Sequence, residues 1–590
     1  SVKPQLLNRF KPWYPLLWTD GSIGAISTGG ATDQELIDFY SKPGEQLAYK
    51  PVEKEELPSG SNGFAISGKK TASGNAILYI NPHVTFYFRP EIQMQSREGL
   101  NAYGAVTWGQ FFIYQGFNQY CGWMHTSSAV DVADLYEETI IKKKDQIFYR
   151  YNNQLKSVGR KPMTFRYLKN GKLETKSFMT YYTQHGPVMG ERNGKWITLK
   201  ANNRSLDGLI QSWLRTKTKG LEDYKKNMNY KSNTSNNTVF ADNKGNIAYW
   251  HGNFIPKRND SLDWSKAVDG SIAANEWRGL HSVNESIHLY NPANGWIQNC
   301  NSTPFTAAGN QSPKREAYPA YMAPDGENFR GINAVRVLEK PQKFTLDKVI
   351  DAGYDRYLSA FAVMLPGLIK SYDSHATDTA FNSLAEPIAV LKQWDYYSSE
   401  TSVATTIAID WAQRFMNQMQ RALKDYDDPE QVAKTKRYIE KASANQLLDP
   451  LVSTIRDLKT KFGKWDIPWG EINRYQRLTG KVDEVFDDNK PSLPVGMAAS
   501  TWGALPSFVS RPMPGTKKRY GFNGNSFICA VEFGTKVKAK SLLAGGVNRR
   551  VDSKHFGDQA EMYTKGIFKD VLFYKEDVVK NAERTYHPGE

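Results

Sequence analysis

From Ser61 onward the chain alternates short apolar runs with turn residues. Phe64–Ser67, Ala76–Ile80, Val84–Phe88, Phe111–Tyr114 and Val130–Leu135 each have strand length. Met163–Tyr167 and Lys176–Tyr182 flank Lys169-Asn170-Gly171-Lys172, which has the composition of a hairpin turn. Asn246–Trp250 follows a second turn-like stretch, Asp242-Asn243-Lys244-Gly245. Regular strands with tight turns predict layered antiparallel sheets. From about Leu346 the apolar spacing shifts to i, i+3, i+4, which predicts helices over Leu346–Ser371, Ser383–Trp394 and Val403–Asp425. Pro429–Leu458 continues the pattern, with a break expected at Asp449-Pro450. Strands return at Ser526–Phe533 and Val537–Ala544. The order strands, helices, strands predicts an α+β architecture whose last strands rejoin the first sheet.

Residues 1–60 follow a different pattern. Phe10–Trp18 is aromatic and Pro-broken, Ile23–Gly30 is Gly-rich, and Ala31–Tyr40 suits one short helix. Lys42–Gly60 is rich in Pro, Glu and Lys. The predicted organisation is a lead segment over 1–60, sheets over 61–340, a largely helical region over 341–480 and returning strands over 481–590.

Composition narrows the possibilities. Of 590 residues, 40% are hydrophobic and 13% aromatic, which supplies a large core and excludes a disordered chain. No run reaches the ~18 apolar residues of a membrane span, so none is expected. Lys+Arg 76 against Asp+Glu 61 gives a net charge of +15. The longest basic runs, Lys142–Lys144 and Lys517–Arg519, are too short for a basic arm, so no nucleic-acid partner is expected. Cys121, Cys300 and Cys529 are isolated, which excludes a disulfide framework and a CxxC metal site and leaves them as small buried side chains. Ser1-Val2-Lys3-Pro4 is not a signal peptide. The expectation is that a targeting segment was removed or that the chain is part of a longer precursor, in a periplasmic or secreted setting.

Gly60-Ser61-Asn62 carries the sharpest chemical possibility. Gly60 has no side chain, so its carbonyl can be approached closely. Attack by the Ser61 hydroxyl on that carbonyl would give an ester, and hydrolysis would leave a chain beginning with Ser61. Its α-amine, with a pKa of about 7.7–8, could then serve as base for its own hydroxyl. Taken alone, the tripeptide reads far more readily as a surface turn.

The surrounding residues add a resemblance. Ser61-Asn62-Gly63-Phe64-Ala65-Ile66-Ser67-Gly68, Thr71-Ala72-Ser73-Gly74 and Asn81-Pro82-His83 resemble the opening of the catalytic subunit of the penicillin acylase family, which are N-terminal-nucleophile hydrolases. Gly116-Phe117-Asn118, Trp123-Met124-His125-Thr126, His185-Gly186-Pro187, Trp296–Asn301, Arg330–Leu338 and Gly557-Asp558-Gln559 continue it in order over about 61–590. The resemblance implies a four-layer αββα sandwich of two antiparallel sheets with an inserted helical region. It implies an autoprocessed amidohydrolase that releases a carboxylic acid and an amine from a penicillin- or cephalosporin-like or N-acyl compound. The alternatives are an acyl-homoserine-lactone or lipopeptide acylase, and a non-catalytic calcium-stabilised homologue.

The same resemblance implies roles. Ser61 would be the nucleophile, and His83 the residue whose side chain hydrogen-bonds it. The backbone N–H of Ser127 and a side-chain amide would stabilise the oxyanion, with Asn299 preferred for the amide and Asn301 the alternative. Arg330 would support that Asn and the Ser61 amine. Asp131, Ala133 and Asp134, with the Pro256 carbonyl, would bind a structural Ca2+, and no organic cofactor is expected. Val84, Tyr114, Gln115 and Phe117 would line the acyl pocket. The partners implied are a small-molecule amide substrate and an α subunit from the same precursor, forming a heterodimer.

Overall fold

The computed structural model describes residues 27–41, 60–87, 89–107, 110–203, 205–423, 428–481 and 484–587. The readings made over 1–26 and 42–59 lie outside the described residues. Strand β1 (Gly60–Ile66) is laid between two antiparallel neighbours, β2 (Ala76–Thr85) and β5 (Trp296–Asn299). In this ten-stranded sheet β2 also pairs with Phe527–Phe533, which pairs with Val537–Leu543. The C-terminal strands thus return to the sheet that the first strand opened.

A seven-stranded sheet has β3 (Cys121–Ser127) and β4 (Asn236–Asp242) as antiparallel neighbours near its middle. The two sheets pack face to face. Ala65, Leu78, Ile80, Cys529 and Val531 of the first meet Met124, Val239, Ala241 and Tyr249 of the second in one buried cluster. Gly63 marks a tight point of this contact, because a Cβ there would lie 2.8 Å from Met124 Cγ. On the outer face of the first sheet, Phe64, Ile66 and Tyr79 pack with Val337 and Val349 of two helices, Phe329–Leu338 (α1) and Leu346–Gly353. On the outer face of the second, Trp123, Phe240 and Trp250 pack with Leu221, Tyr224 and Met228 of the helix Leu221–Met228. Side chains two apart on a strand share a face, so the strict alternation of Phe64 and Ile66 against Ala65 fixes which way every residue of β1 points. That parity decides the site.

A six-stranded sheet carries the hairpin Gly159–Lys169 and Lys172–Thr183. Its turn residues Asn170 and Gly171 both have positive φ, as a two-residue hairpin turn demands. Helices Ser359–Ser374, Val403–Leu423, Gln431–Lys441 and Ala444–Phe462 enclose their own core around Phe361, Leu365, Trp411, Phe415 and Leu448. Among the described residues no helix is long and apolar enough to cross a membrane.

Several element predictions are corrected. Phe111–Tyr114 is not a strand. It is a buried turn whose Phe112 and Tyr114 pack on Leu209, and the strand starts at Gln115. Leu346–Ser371 is two helices, because Gly353 ends the first where it lies against the Tyr79 ring, 2.2 Å from where a Cβ would stand. Pro450 does not break its helix. The interruption falls at Ala442–Ser443, where Ser443 and Gln446 form a capping box that starts the next helix.

Candidate active site

Ser61 sits in the second position of β1, opposite Pro82, and Gly60 sits opposite His83. Parity turns Ser61, with Ala65, toward the second sheet, and turns Gly60 and Asn62, with Phe64, toward the helices. The Ser61 hydroxyl donates to the Gly60 carbonyl oxygen at 2.5 Å. The Ser61 N–H donates to Asn301 Oδ1 at 2.7 Å. Arg330, in the first turn of α1, donates to the Ser61 carbonyl, to Asn62 Oδ1 and to Asn301 Oδ1, each at 3.0 Å. A Cβ on Gly60 would stand 3.0 Å from Arg330 Nη2 and 3.1 Å from Asn301 Oδ1. Glycine is therefore the residue that lets this carbonyl approach the cluster.

Local chemistry explains the placement of these side chains. Asn301 follows the end of β5 with φ 59°, a left-handed conformation that Asn tolerates better than most residues. The turn swings its amide back over Ser61, and its Nδ2 donates to the Ser127 carbonyl at 2.8 Å. Asn328 caps α1 by accepting from Gly331 N–H at 2.9 Å. Its own amide donates to the Cys300 and Asn301 carbonyls at 3.2 and 3.0 Å. One asparagine thus starts the helix that carries Arg330 and clamps the turn that carries Asn301.

Two sequence-based preferences change here. Asn299 does not reach Ser61. It shares the face of Ile297, toward the second sheet, where its Oδ1 accepts from Thr126 Oγ1 at 2.5 Å and Asn237 Nδ2 at 3.3 Å. Its Nδ2 donates to the Ser302 carbonyl and the Tyr249 hydroxyl at 3.2 and 3.4 Å. Asn299 is a brace between sheets, and Asn301 is the residue against Ser61. His83 makes no hydrogen bond to the Ser61 hydroxyl, because parity puts its ring on the face of Gly60. The ring is 1% exposed, and among the described residues neither nitrogen has a partner. Burial, then the Arg330 charge, hold its pKa well below the ordinary value, so it is a neutral imidazole.

The expected pocket residues are all buried. Val84 shares the face of Ile80, hence that of Ser61. Tyr114 donates its hydroxyl to Asn236 Oδ1 at 3.0 Å, and Asn236 pairs with Ser127. Phe117 packs on Tyr103 and Phe573 in the inter-sheet core. Gln115 lies between the His125 carbonyl and Arg89. Sequence reasoning missed Arg89, a buried guanidinium 4.6 Å over the Tyr114 ring. It also missed Asn237, whose Nδ2 joins Thr126, Ser127 and Asn299. Neither stands in a motif. The three cysteines are buried free thiols, and burial pushes Cys300, next to Asn301, up to about 12.

The residues expected to hold calcium meet a different partner. Arg258 Nε lies 2.8 Å from Asp134 Oδ2 and its Nη2 lies 3.2 Å from Asp131 Oδ1. Arg258 Nη2 also donates to the Asp131 carbonyl at 3.0 Å, and Trp277 Nε1 donates to Asp134 Oδ2. Among the described residues no third His, Cys, Asp or Glu joins the two aspartates in a metal-holding group. The donor set as folded does not fit a cation that takes six to eight oxygens.

His185, from the His-Gly-Pro motif, lies apart from Ser61 and shares no partner with it. Its ring nitrogens face Glu138 at 2.7 Å and Glu276 at 2.8 Å, and it stacks on Tyr136 at 4.0 Å. Burial pushes the imidazole down, but the two carboxylates outweigh it and hold its pKa above the ordinary value. Burial raises Glu276, yet His185 and Lys200 bring it down to about 2. The raised His stabilises the fold fully below its unfolded pKa of about 6.5 and loses that contribution as pH rises through its folded value. The lowered Glu contributes above its unfolded pKa of about 4.3 and loses it as pH falls toward its folded value. The pair is therefore worth most between about pH 4.3 and 6.5. Thermal unfolding of wild type and His185→Gln should show the largest gap in that window, with the gap narrowing as pH rises further. A gap independent of pH would contradict the charged pairing.

The penicillin amidase family matches residues 3–580. The chain belongs to that family, which places it among the amidohydrolases. Acyl-homoserine lactone acylase PvdQ of Pseudomonas fluorescens (strain Pf0-1) is 22% identical over 575 residues, 90% of this chain and 71% of its own. PvdQ of Pseudomonas syringae pv. syringae (strain B728a) is 21% identical over 614 residues, 95% of this chain and 76% of its own. Penicillin G acylase of Escherichia coli is 25% identical over 352 residues, 57% of this chain and 38% of its own. A thermostable penicillin G acylase from Alcaligenes faecalis superposes with a TM-score of 0.64 at 17% identity, covering 89% of this chain and 99% of that one. The chain has the fold of that enzyme.

Proposed function

We propose that the chain is an N-terminal serine acylase that first cuts itself between Gly60 and Ser61, on an αββα N-terminal-nucleophile scaffold. The observation that carries this reading is the Ser61 hydroxyl 2.5 Å from the Gly60 carbonyl oxygen, inside a cluster of Asn301 and Arg330 with little room for a side chain at position 60. In the first step Oγ adds to the Gly60 carbonyl carbon, the C–N bond breaks, and the acyl group passes to oxygen. Water hydrolyses the ester, leaving a carboxylate on Gly60 and a free amine on Ser61. In turnover that amine takes the Oγ proton while Oγ attacks the substrate amide. The leaving amine is protonated, and water releases the carboxylic acid.

Arg330 and Asn301 suit this cycle. Arg330 binds three neutral oxygens, and among the described residues no carboxylate pairs with its charge. A nearby cation disfavours an ammonium on Ser61, so it keeps the amine in its basic form. Asn301 accepts from the Ser61 nitrogen through Oδ1, and its Nδ2 lies beside Ser127, where it can donate to a developing oxyanion together with the Ser127 N–H. His83, neutral and buried against Gly60, acts by holding this end of the strand dry rather than by taking the hydroxyl proton.

The substrate is an N-acyl amide. Relatives named acyl-homoserine lactone acylase match 90% and 95% of this chain, against 57% for the Escherichia coli penicillin G acylase. This favours an acyl-homoserine lactone over a penicillin or a cephalosporin. The test has two arms. Amino-terminal sequencing of active protein should read Ser-Asn-Gly-Phe, and a blocked or different terminus would overturn the nucleophile. Fluorogenic labelling of the released amine should then rank a long-acyl homoserine lactone above penicillin G and glutaryl-cephalosporin, and the reverse order would overturn the substrate.

A further inference from the structure

The two aspartates that would form a calcium site are joined by an arginine instead. Asp131 and Asp134 stand at i and i+3 at the start of the strand Ala133–Glu138. The Arg258 side chain that bridges them is 0% exposed, as is that of Asp134, whereas Asp131 is 27% exposed. The guanidinium touches both carboxylates and the Asp131 carbonyl, and Trp277 closes the remaining approach to Asp134 Oδ2. Tyr321 and Trp264 cover Arg258, their rings 5.2 and 5.6 Å from Cζ. Among the described residues the buried Asp134 Oδ1 is left without a partner, and a fixed positive charge already stands where a hard cation would bind.

We propose that Arg258 stands in the cation's place between Asp131 and Asp134, so that this corner of the fold is held without metal. Two buried or half-buried carboxylates need a compensating charge. The forked guanidinium supplies it through a hydrogen bond to the Asp134 carboxylate, an ion pair with that of Asp131 and a hydrogen bond to the Asp131 carbonyl. The exchange ties three segments, around 131–134, 256–258 and 277, that a metal would otherwise tie through oxygen ligands. It also leaves a way in should the guanidinium be removed. A cavity of about 780 Å³ borders Asp131, Ala133 and Trp264.

The test uses the full chain as purified. Wild type treated with EGTA should carry less than a tenth of a calcium per chain by plasma mass spectrometry. Its melting temperature should stay within about 1 °C on adding millimolar calcium, small on the 2–4 °C scale of a single interaction. One tightly retained calcium, or a fall of several degrees in EGTA, would overturn the proposal without touching the reading of Ser61. Arg258→Ala should melt roughly 5 °C or more below wild type in EGTA, since breaking a buried pair leaves charge uncompensated. Millimolar calcium should recover part of that loss, and magnesium, which demands tighter octahedral geometry, should not. An Ala variant as stable as wild type, or indifferent to calcium, would equally overturn the proposal. If that variant fails to fold, Arg258→Lys, which keeps the charge but not the fork, should fold, melt lower and ignore calcium, and a calcium response in it would count against the assignment.

Discussion

Ser61→Ala is expected to leave the chain uncut at Gly60–Ser61 and to abolish turnover, both from the loss of one oxygen. Among the described residues the hydroxyl is the group placed to attack the Gly60 carbonyl, at 2.5 Å from its oxygen. Without it no ester forms, and the Ser61 nitrogen stays an amide that donates to Asn301 and cannot act as a base. The variant therefore loses nucleophile and base together, which predicts a fall of about 10⁶-fold, below detection in most assays. Intact mass should give one uncut species, where wild type should give a piece beginning at Ser61. Folding should be unaffected, because the side chain is small and its hydrogen bond to the Gly60 carbonyl is local, so the melting temperature serves as control. Ser61→Cys separates the two steps: a thiol of similar size should still cleave the chain, and so expose its amine. A cut, active Ala variant would remove the basis of the mechanism.

How much of this could be read in the chain differs by level. The strands were legible because each is bounded by turn residues, and because Phe64, Ala65 and Ile66 sit on faces that both need apolar side chains. Gly60-Ser61 stood out as a candidate because the proposed chemistry needs those residue types in adjacent positions. What failed was orientation. A strand's two faces look alike in sequence when both are buried, so nothing in Asn-Pro-His said that His83 would follow Gly60 rather than Ser61. Asn299 and Asn301 are two residues apart and would share a face on a continuing strand. Only the left-handed turn at Asn301, φ 59°, separates them. Arg258 was invisible for another reason: it stands 124 residues after Asp134 in the chain, and no local pattern announces a partner at that distance.

That separation of the two asparagines gives the second large effect. Asn301→Ala, measured per mole of Ser61-terminated chain, is expected to lower kcat by about 10²–10³ with little change in KM, the cost of losing one oxyanion donor. Its side chain is only half-buried, and the Ser127 carbonyl keeps its hydrogen bond from Asn237 Nδ2, so stability should change little. Asn299→Ala should do the opposite. Asn299 is 0% exposed, and its removal takes the acceptor from Thr126 Oγ1 and from the Asn301 N–H and the donor from the Ser302 carbonyl. Leaving such groups unpaired costs about 1–3 kcal/mol apiece, so the melting temperature should fall, while kcat per folded, processed chain should drop less than tenfold. Steady-state kinetics and thermal unfolding on the two variants decide between the residues. If Asn299→Ala loses kcat and keeps its stability, the oxyanion role belongs to the inter-sheet brace. The turn at Asn301 would then serve only to hold Ser61 before cleavage, a role that Asn301→Ala would report as slower cleavage at Gly60–Ser61 with normal turnover afterwards.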